Sequence, residues 1–206
     1  MKLASHAFWG DSLTDQMLAT VGNAVTAGFI ENVYDGGVGG DTSTQCKVRF
    51  LADATRRHWN QVIWIGYNNF SSGTTVKADI AAMVAQLNHS RYIIVSVLNN
   101  GNTANEQGPS GAGYLQIKQL NADLAALYGS RFYDLRAALV AYGVSIADAN
   151  SVSYDAPPST IQPVNIHLNA TGYNSYAGPY IRAAMSTLGY LSADSLTSEV
   201  SASGGT

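Results

Sequence analysis

The sequence predicts an α/β domain of three layers, in which helices cover both faces of a flavodoxin-like, five-stranded parallel sheet. Short apolar runs that stop at glycine or asparagine alternate along the chain with segments whose apolar residues recur at helical spacing. The clearest runs are apolar throughout, as is typical of parallel strands that are covered on both faces. The 206 residues suffice for one such domain, which we expect to span residues 1–191.

Five strands are expected, and the most regular is the β-branched run 61–65, which Gly66 ends. The full set is 3–9, 32–34, 61–65, 92–98 and 131–134. Four helices are expected from periodic apolar residues, such as Val76, Ile80 and Met83 in the first of them. The helices cover 74–87, 114–128, 135–142 and 170–188.

Two stretches, 99–113 and 150–163, are longer than simple connections and are predicted to be loops. Long loops in compact domains are usually functional, and both should lie near the carboxyl edge of the sheet, where ligands bind in this architecture. Residues 192–206 lose the periodicity and end in small polar residues, which indicates a flexible tail.

The composition excludes several classes of protein. Only 12% of the residues are charged and the net charge is −3, so the chain has no basic excess with which to bind nucleic acid. Cys46 is the single cysteine, which excludes an internal disulfide and a multi-cysteine zinc site. No apolar run reaches the length of a membrane span. No signal peptide is visible, and the neutral, polar composition is compatible with a secreted or virion-associated protein.

Chemically useful residues follow the expected strands. Ser12 comes after the first strand, Gly40 after the second and Asn68 after the third, while His167 comes near the end of the chain. A serine, a histidine and donors for an oxyanion are the groups that acyl transfer needs. Each residue alone has an ordinary structural explanation as a turn or cap residue, and it is their order and placement that indicate a site.

This pattern resembles the GDSL family of lipases and esterases, also called SGNH hydrolases. The similarity rests on the blocks Gly10-Asp11-Ser12-Leu13, 37–42, 66–69 and 167–173, which are spread over most of the chain. The resemblance implies that Ser12 is the nucleophile and His167 the general base, with Gly40 and Asn68 as oxyanion donors. Asn69 stands where the family usually has aspartate. No spacing among His, Asp and Glu indicates a metal, and the glycine run 36–40 lacks the order of a dinucleotide fingerprint, so no metal and no cofactor are expected.

Val164 occupies the position, three residues before His167, at which the family usually carries the third triad member, an aspartate. The carboxylate of a triad fixes the histidine tautomer and stabilises the imidazolium, which valine cannot do. Three interpretations are open: a backbone carbonyl, such as that of Val164, accepts from His167 Nδ1; Asp155 is a substitute acid; or the site is impaired. We favour the carbonyl or the substitute acid, and we give the neutral Asn165 little weight.

The expected walls of the cleft combine aromatic and amide side chains, which suit a sugar-like substrate with a small acyl group. They are Tyr67, Phe70, Asn99, Asn100, Asn102 and Glu106. Asp41 and Asp134 are expected to support loops. The predicted function is a serine esterase for short-chain acyl esters, including O-acetyl groups on carbohydrate, without a membrane span. The alternatives are a non-catalytic carbohydrate-binding or virion module and an acyltransferase that uses the same residues.

Overall fold

The computed structural model describes residues 5–23, 29 and 32–191, and it contains one sheet of five parallel strands. The order across the sheet is β2-β1-β3-β4-β5, so the chain reverses its direction of travel between β2 and β3. The strands are β1 (Ser5–Gly10), β2 (Asn32–Gly37), β3 (Asn60–Trp64), β4 (Tyr92–Val95) and β5 (Phe132–Tyr133). Ligands of such sheets bind outside the carboxyl ends of the strands, where the order reverses.

Helices pack on both faces and bury two separate apolar clusters against the sheet. The seven helices of the described residues are α1 (Ser12–Asp15), α2 (Ser43–Ala52), α3 (Gly73–Val84), α4 (Ala112–Tyr128), α5 (Leu135–Ser145), α6 (Ala149–Tyr154) and α7 (Gly178–Thr187). Residues of α2, α3 and α4 form the core on one face. Residues of α1, α5 and α7 form the core on the other face. The three-layer architecture predicted from the sequence is therefore confirmed.

The strand predicted over 92–98 ends earlier, at Val95, although Val97 and Leu98 remain buried. The edge strand β5 offers only two residues for pairing. Just after the end of β4, the Asn121 side chain of α4 accepts from the Val97 N–H and donates to the Val97 carbonyl, both at 2.8 Å. A side-chain amide thus replaces a neighbouring strand, so the buried backbone groups stay satisfied.

Three helical segments differ from the expectation. The sequence prediction omitted α2, and it treated 150–163 wholly as a loop, whereas α6 occupies its first part. The helix expected over 170–188 begins as a π-helix at Gly172–Ala177 before it continues as α7. A second π-helical turn, Gln16–Thr20, extends α1. The expected start of the first strand at Leu3 and the tail 192–206 lie outside the described residues.

No helix within the described ranges is both long and apolar enough to cross a bilayer.

Candidate active site

Ser12 is held at the carboxyl end of β1 by a tight turn. Gly10 ends the strand, and a side chain at this position would lie 2.0 Å from Thr14 Oγ1 and 2.3 Å from the Trp64 carbonyl, so only glycine fits. Asp11 then caps α1, because its Oδ1 accepts from the Leu13 N–H at 3.0 Å. Ser12 is therefore the first residue of a helix that points away from the edge of the sheet.

The side chains of Ser12 and His167 meet at this edge. His167 Nε2 lies 2.7 Å from Ser12 Oγ, a hydrogen bond between residues 155 apart in sequence. Burial of the imidazole lowers the pKa of His167, so the neutral form that can accept a proton is favoured at neutral pH. The geometry is that of a hydroxyl nucleophile and its base.

Asn165 occupies the other side of the imidazole. Its Oδ1 lies 3.0 Å from His167 Nδ1 and accepts from the His167 backbone N–H at 2.8 Å. An amide oxygen can only accept, so this contact places the proton on Nδ1 and leaves Nε2 free to receive the Ser12 proton. Val164, at the position where the family usually carries an aspartate, is 75% exposed. The expected backbone carbonyl is thus replaced by a side-chain carbonyl, and the small weight given to Asn165 was wrong.

Asp155 is engaged elsewhere and is not the partner of His167. Its carboxylate accepts from the Tyr114 hydroxyl at 2.7 Å and pairs with Arg136 at 2.7 Å, with Lys118 at 3.4 Å. Burial alone would raise the pKa of Asp155, but the Tyr114 hydrogen bond and the Arg136 charge outweigh it and lower the pKa. Asp155 ends α6 in the left-handed conformation, so it stabilises this loop rather than serving as the substitute acid.

Gly40 and Asn68 lie on two turns that hydrogen bonds connect. Gly40 has a φ of +80°, and a side chain there would meet no atom within 4 Å, so the space beside its backbone is open. Asn68 Nδ2 donates to the Asp41 carbonyl at 2.9 Å, and because an amide nitrogen carries two N–H groups, one donor remains for another acceptor. The adjacent Asn69 accepts from the Ser43 N–H at 3.1 Å, which further joins the turns.

A buried glutamine, which the sequence analysis did not single out, joins the two long loops. Gln162 is fully buried, accepts from the Gly101 N–H at 3.3 Å and donates to the Ile166 carbonyl at 3.2 Å. Asn102 donates to the Gln162 carbonyl at 2.9 Å. The segment directly before His167 is thus fixed to the loop that follows β4. No local sequence signal distinguishes Gln162 from an ordinary loop residue.

Of the six residues expected to line the cleft, Asn102 is exposed, and the other five divide into two groups. Tyr67 and Phe70 are half-buried, and their rings contact each other at a centroid distance of 5.8 Å. Asn99, Asn100 and Glu106 are buried instead. Glu106 accepts from the Tyr67 hydroxyl at 3.0 Å and from the Asn100 N–H at 2.9 Å, and burial raises its pKa. Asn100 and Glu106 therefore support the loop, contrary to the expectation that they face a substrate.

Cys46 and the acidic residues offer no competing centre in the described part of the chain. Cys46 is buried, and burial raises the pKa of its thiol to about 12, so it stays protonated and unreactive. Among the described residues, no three His, Cys, Asp or Glu side chains gather as metal ligands do. As expected, Asp41 and Asp134 support loops, the first by accepting from Arg49 and the second by capping α5.

Asp11 is buried more deeply than any other carboxylate of the site, with 1% of its surface exposed, and its Oδ2 has no hydrogen-bond partner. Burial, aided by the nearby negative charge of Asp41, raises the pKa of Asp11 to about 7. At this position the folded protein therefore binds one more proton than the unfolded chain between about pH 4 and pH 7. In this window the contribution of Asp11 to the free energy of unfolding falls as the pH rises, and it levels off above pH 7.

We expect Asp11→Asn to remove this dependence, because the amide keeps the oxygen that caps Leu13 but carries no charge. The variant should exceed the natural protein in free energy of unfolding at pH 8, by an amount on the order of 4 kcal/mol for a shift of about three pKa units. Urea unfolding at pH 4, 6 and 8 measures it. Asp134→Asn, the same change at the exposed cap of α5, is the control, and parallel pH curves for Asp11→Asn and the natural protein would contradict the prediction.

Comparisons with known proteins agree with this architecture. No family model and no curated protein matches the chain. Solved structures do match, and two of them are acetylxylan esterases. AlAXEase is 16% identical with a TM-score of 0.69, over 87% of this chain and 98% of that one. Axe2 from Geobacillus stearothermophilus is 17% identical with a TM-score of 0.62, over 90% and 96%.

A third match is a GDSL-like lipase from Bacteroides thetaiotaomicron, 19% identical with a TM-score of 0.66, over 89% of this chain and 88% of that one. Each of these three matches covers between 87% and 90% of this chain. The chain therefore has the fold of the GDSL/SGNH hydrolases, as the sequence blocks led us to expect.

Proposed function

We propose that this chain is a serine esterase that hydrolyses short-chain acyl esters, in particular O-acetyl groups on carbohydrate, through an acyl-enzyme on Ser12. The observation that carries the proposal is the 2.7 Å contact between Ser12 Oγ and His167 Nε2 at the carboxyl edge of the sheet. A serine hydroxyl becomes an effective nucleophile only beside a base. The fold shared with esterases and acylhydrolases supports the same class of reaction.

The proposed reaction uses this geometry in two stages. Ser12 Oγ attacks the ester carbonyl while His167 Nε2 takes its proton, and the carbonyl oxygen becomes an oxyanion that accepts from the Ser12 and Gly40 N–H groups and the free N–H of Asn68. Collapse releases the alcohol, which takes the proton from His167. Water then attacks the carbonyl carbon of the acyl-enzyme while His167 Nε2 takes a proton from the water. The bond between the acyl group and Ser12 Oγ breaks, the proton passes from His167 to Oγ, and the carboxylic acid is released.

Asn165 gives this reaction an uncharged third member. It orients the imidazole and fixes its tautomer, but the amide supplies no negative charge to stabilise the imidazolium that forms during attack. Turnover should accordingly be measurable but slower than with a carboxylate at the same place. Because burial also lowers the pKa of His167, the base stays active at mildly acidic pH.

The residues of the cleft and the comparison structures both support this class of substrate. Tyr67 and Phe70 present half-buried aromatic rings beside Asn68, and aromatic faces with nearby amides are suited to sugar rings. Two of the matching structures are acetylxylan esterases. A composition with only 12% charged residues and a net charge of −3 suits an uncharged substrate of this kind.

Initial rates on a matched set of esters test the proposal. We expect the highest kcat/KM on acetyl esters, with p-nitrophenyl acetate above the octanoate and with acetate released from acetylated xylo-oligosaccharides. A fluorophosphonate should label Ser12 in parallel. Absence of both labelling and acetate release would favour a non-catalytic carbohydrate-binding module, while acetyl transfer to added sugar or alcohol in preference to water would identify an acyltransferase.

A further inference from the structure

We infer that Arg49 is a positioning residue that sets the geometry of the oxyanion site by joining the turns that carry its donors; this rests on the proposed esterase reaction. Arg49 lies near the end of α2, and its guanidinium group reaches the ends of two strands. It donates to the Gly10 carbonyl at 3.1 Å and to the Gly36 carbonyl at 2.7 Å. Gly10 is two residues before Ser12, and Gly36 is the second-last residue of β2, which the turn to Gly40 follows.

The same guanidinium group also binds the turn after β2 directly. Arg49 Nε and one terminal nitrogen both donate to Asp41 Oδ2, at 2.9 Å and 2.6 Å. Asp41 directly follows Gly40, whose N–H is a proposed oxyanion donor. Fixed fork geometry is a property of arginine and not of lysine, which offers a single point of charge.

Asp41 carries the connection on to the third donor. Its backbone carbonyl accepts from Asn68 Nδ2 at 2.9 Å, so the amide that faces the oxyanion is aligned against the residue that Arg49 holds. Arg49 therefore reaches the segments of Ser12 and Gly40 directly and that of Asn68 through Asp41. An oxyanion site works only when its donors are fixed before the charge develops, and one side chain joins all three here.

Because the donors act on the transition state, loss of Arg49 should lower kcat and leave KM nearly unchanged. For Arg49→Ala we expect kcat on p-nitrophenyl acetate to fall about tenfold or more, which is less than the hundred- to thousand-fold loss of a donor itself. Arg49→Lys should retain only part of the kcat that Arg49→Ala loses. Guanidinium ion below denaturing concentration should restore part of the activity of Arg49→Ala and should not restore activity to Arg49→Lys.

Arg56→Ala is the matched control. Arg56 has nearly the same side-chain exposure as Arg49, 32% against 30%, and also pairs with an aspartate, Asp53, but it lies beyond α2. The Arg56→Ala variant should retain the kcat of the natural protein. Binding of an alkylboronic acid, which forms a tetrahedral adduct on Ser12, should weaken in Arg49→Ala by the same factor as kcat, whereas binding of acetate should not change.

The outcomes separate this inference from the proposed function. A natural protein that neither cleaves the ester nor reacts with fluorophosphonate overturns both. An active natural protein whose Arg49→Ala and Arg49→Lys variants keep kcat within twofold overturns the role of Arg49 alone. A fall in kcat that is matched by a fall in the folded fraction, without a change in boronic acid affinity of the folded molecules, also overturns it.

Discussion

Ser12→Ala should abolish ester hydrolysis, with a loss of kcat of at least about ten-thousand-fold. In the proposed reaction Oγ forms the acyl-enzyme, and the buried Cys46, whose thiol is protonated, cannot replace it. The change removes one atom from the first residue of α1, and the cap of this helix is supplied by Asp11 and not by Ser12, so the fold should be kept. Rates on p-nitrophenyl acetate and the thermal midpoint, measured on one preparation, test both statements.

Ser43→Ala is a useful comparison for this variant. Ser43 also begins a helix, α2, and its hydroxyl donates to Asp79 Oδ2 at 2.7 Å. The variant should lose some stability while retaining hydrolysis. If Ser12→Ala kept most of its turnover and Ser43→Ala did not, the nucleophile would have been misassigned.

The second large effect concerns the atom beside His167 Nδ1. Asn165→Ala removes the acceptor that fixes the tautomer, and we expect kcat to fall about a hundredfold. This loss is smaller than the roughly ten-thousand-fold loss that follows removal of a triad carboxylate, because no charge is lost here. Asn165→Asp places a carboxylate at the same distance, and turnover should rise. The carboxylate also favours the imidazolium, so the acid limb of the pH–rate profile should move to higher pH.

Two further variants separate Asn165 from the other candidates for this role. Asp155→Ala should leave turnover nearly unchanged, because its carboxylate is bound to Tyr114 and Arg136. Val164→Asp should do little while Asn165 holds Nδ1, and it should restore activity to Asn165→Ala if the new carboxylate reaches the ring. A collapse of turnover in Asp155→Ala, with Asn165→Ala unaffected, would reverse the assignment.

The strands of this fold could be predicted because their signals are local. The run 61–65 is apolar, β-branched and stopped by glycine, and it became β3 with a shift of one residue. The helix α2 was missed because its buried face is carried only by Ser43, Cys46 and Phe50, while Val48 is exposed. Its capping box, formed by Thr42 and Gln45, was the available signal.

The candidate site could be predicted only in part. Ser12 and His167 stood out because each lies in a recognisable block, and the structure brings them together. Asn165 could not be chosen, because the contact of its oxygen with Nδ1 depends on the bend of the chain over 164–167, where Gln162 donates to the Ile166 carbonyl. The role of Arg49 depends likewise on how two strand ends and the turn after β2 come together.

The hydrogen bond between Ser12 and His167 makes catalysis a reporter of the last stage of folding. It joins the first strand's end to a segment 155 residues later, so it forms only when almost the whole chain has closed into one loop. Closing so long a loop is slow relative to helix formation. On dilution from urea, the circular dichroism of the helices should therefore return before hydrolysis does. The delay between the two signals would measure the time between formation of the helices and docking of the segment that carries His167.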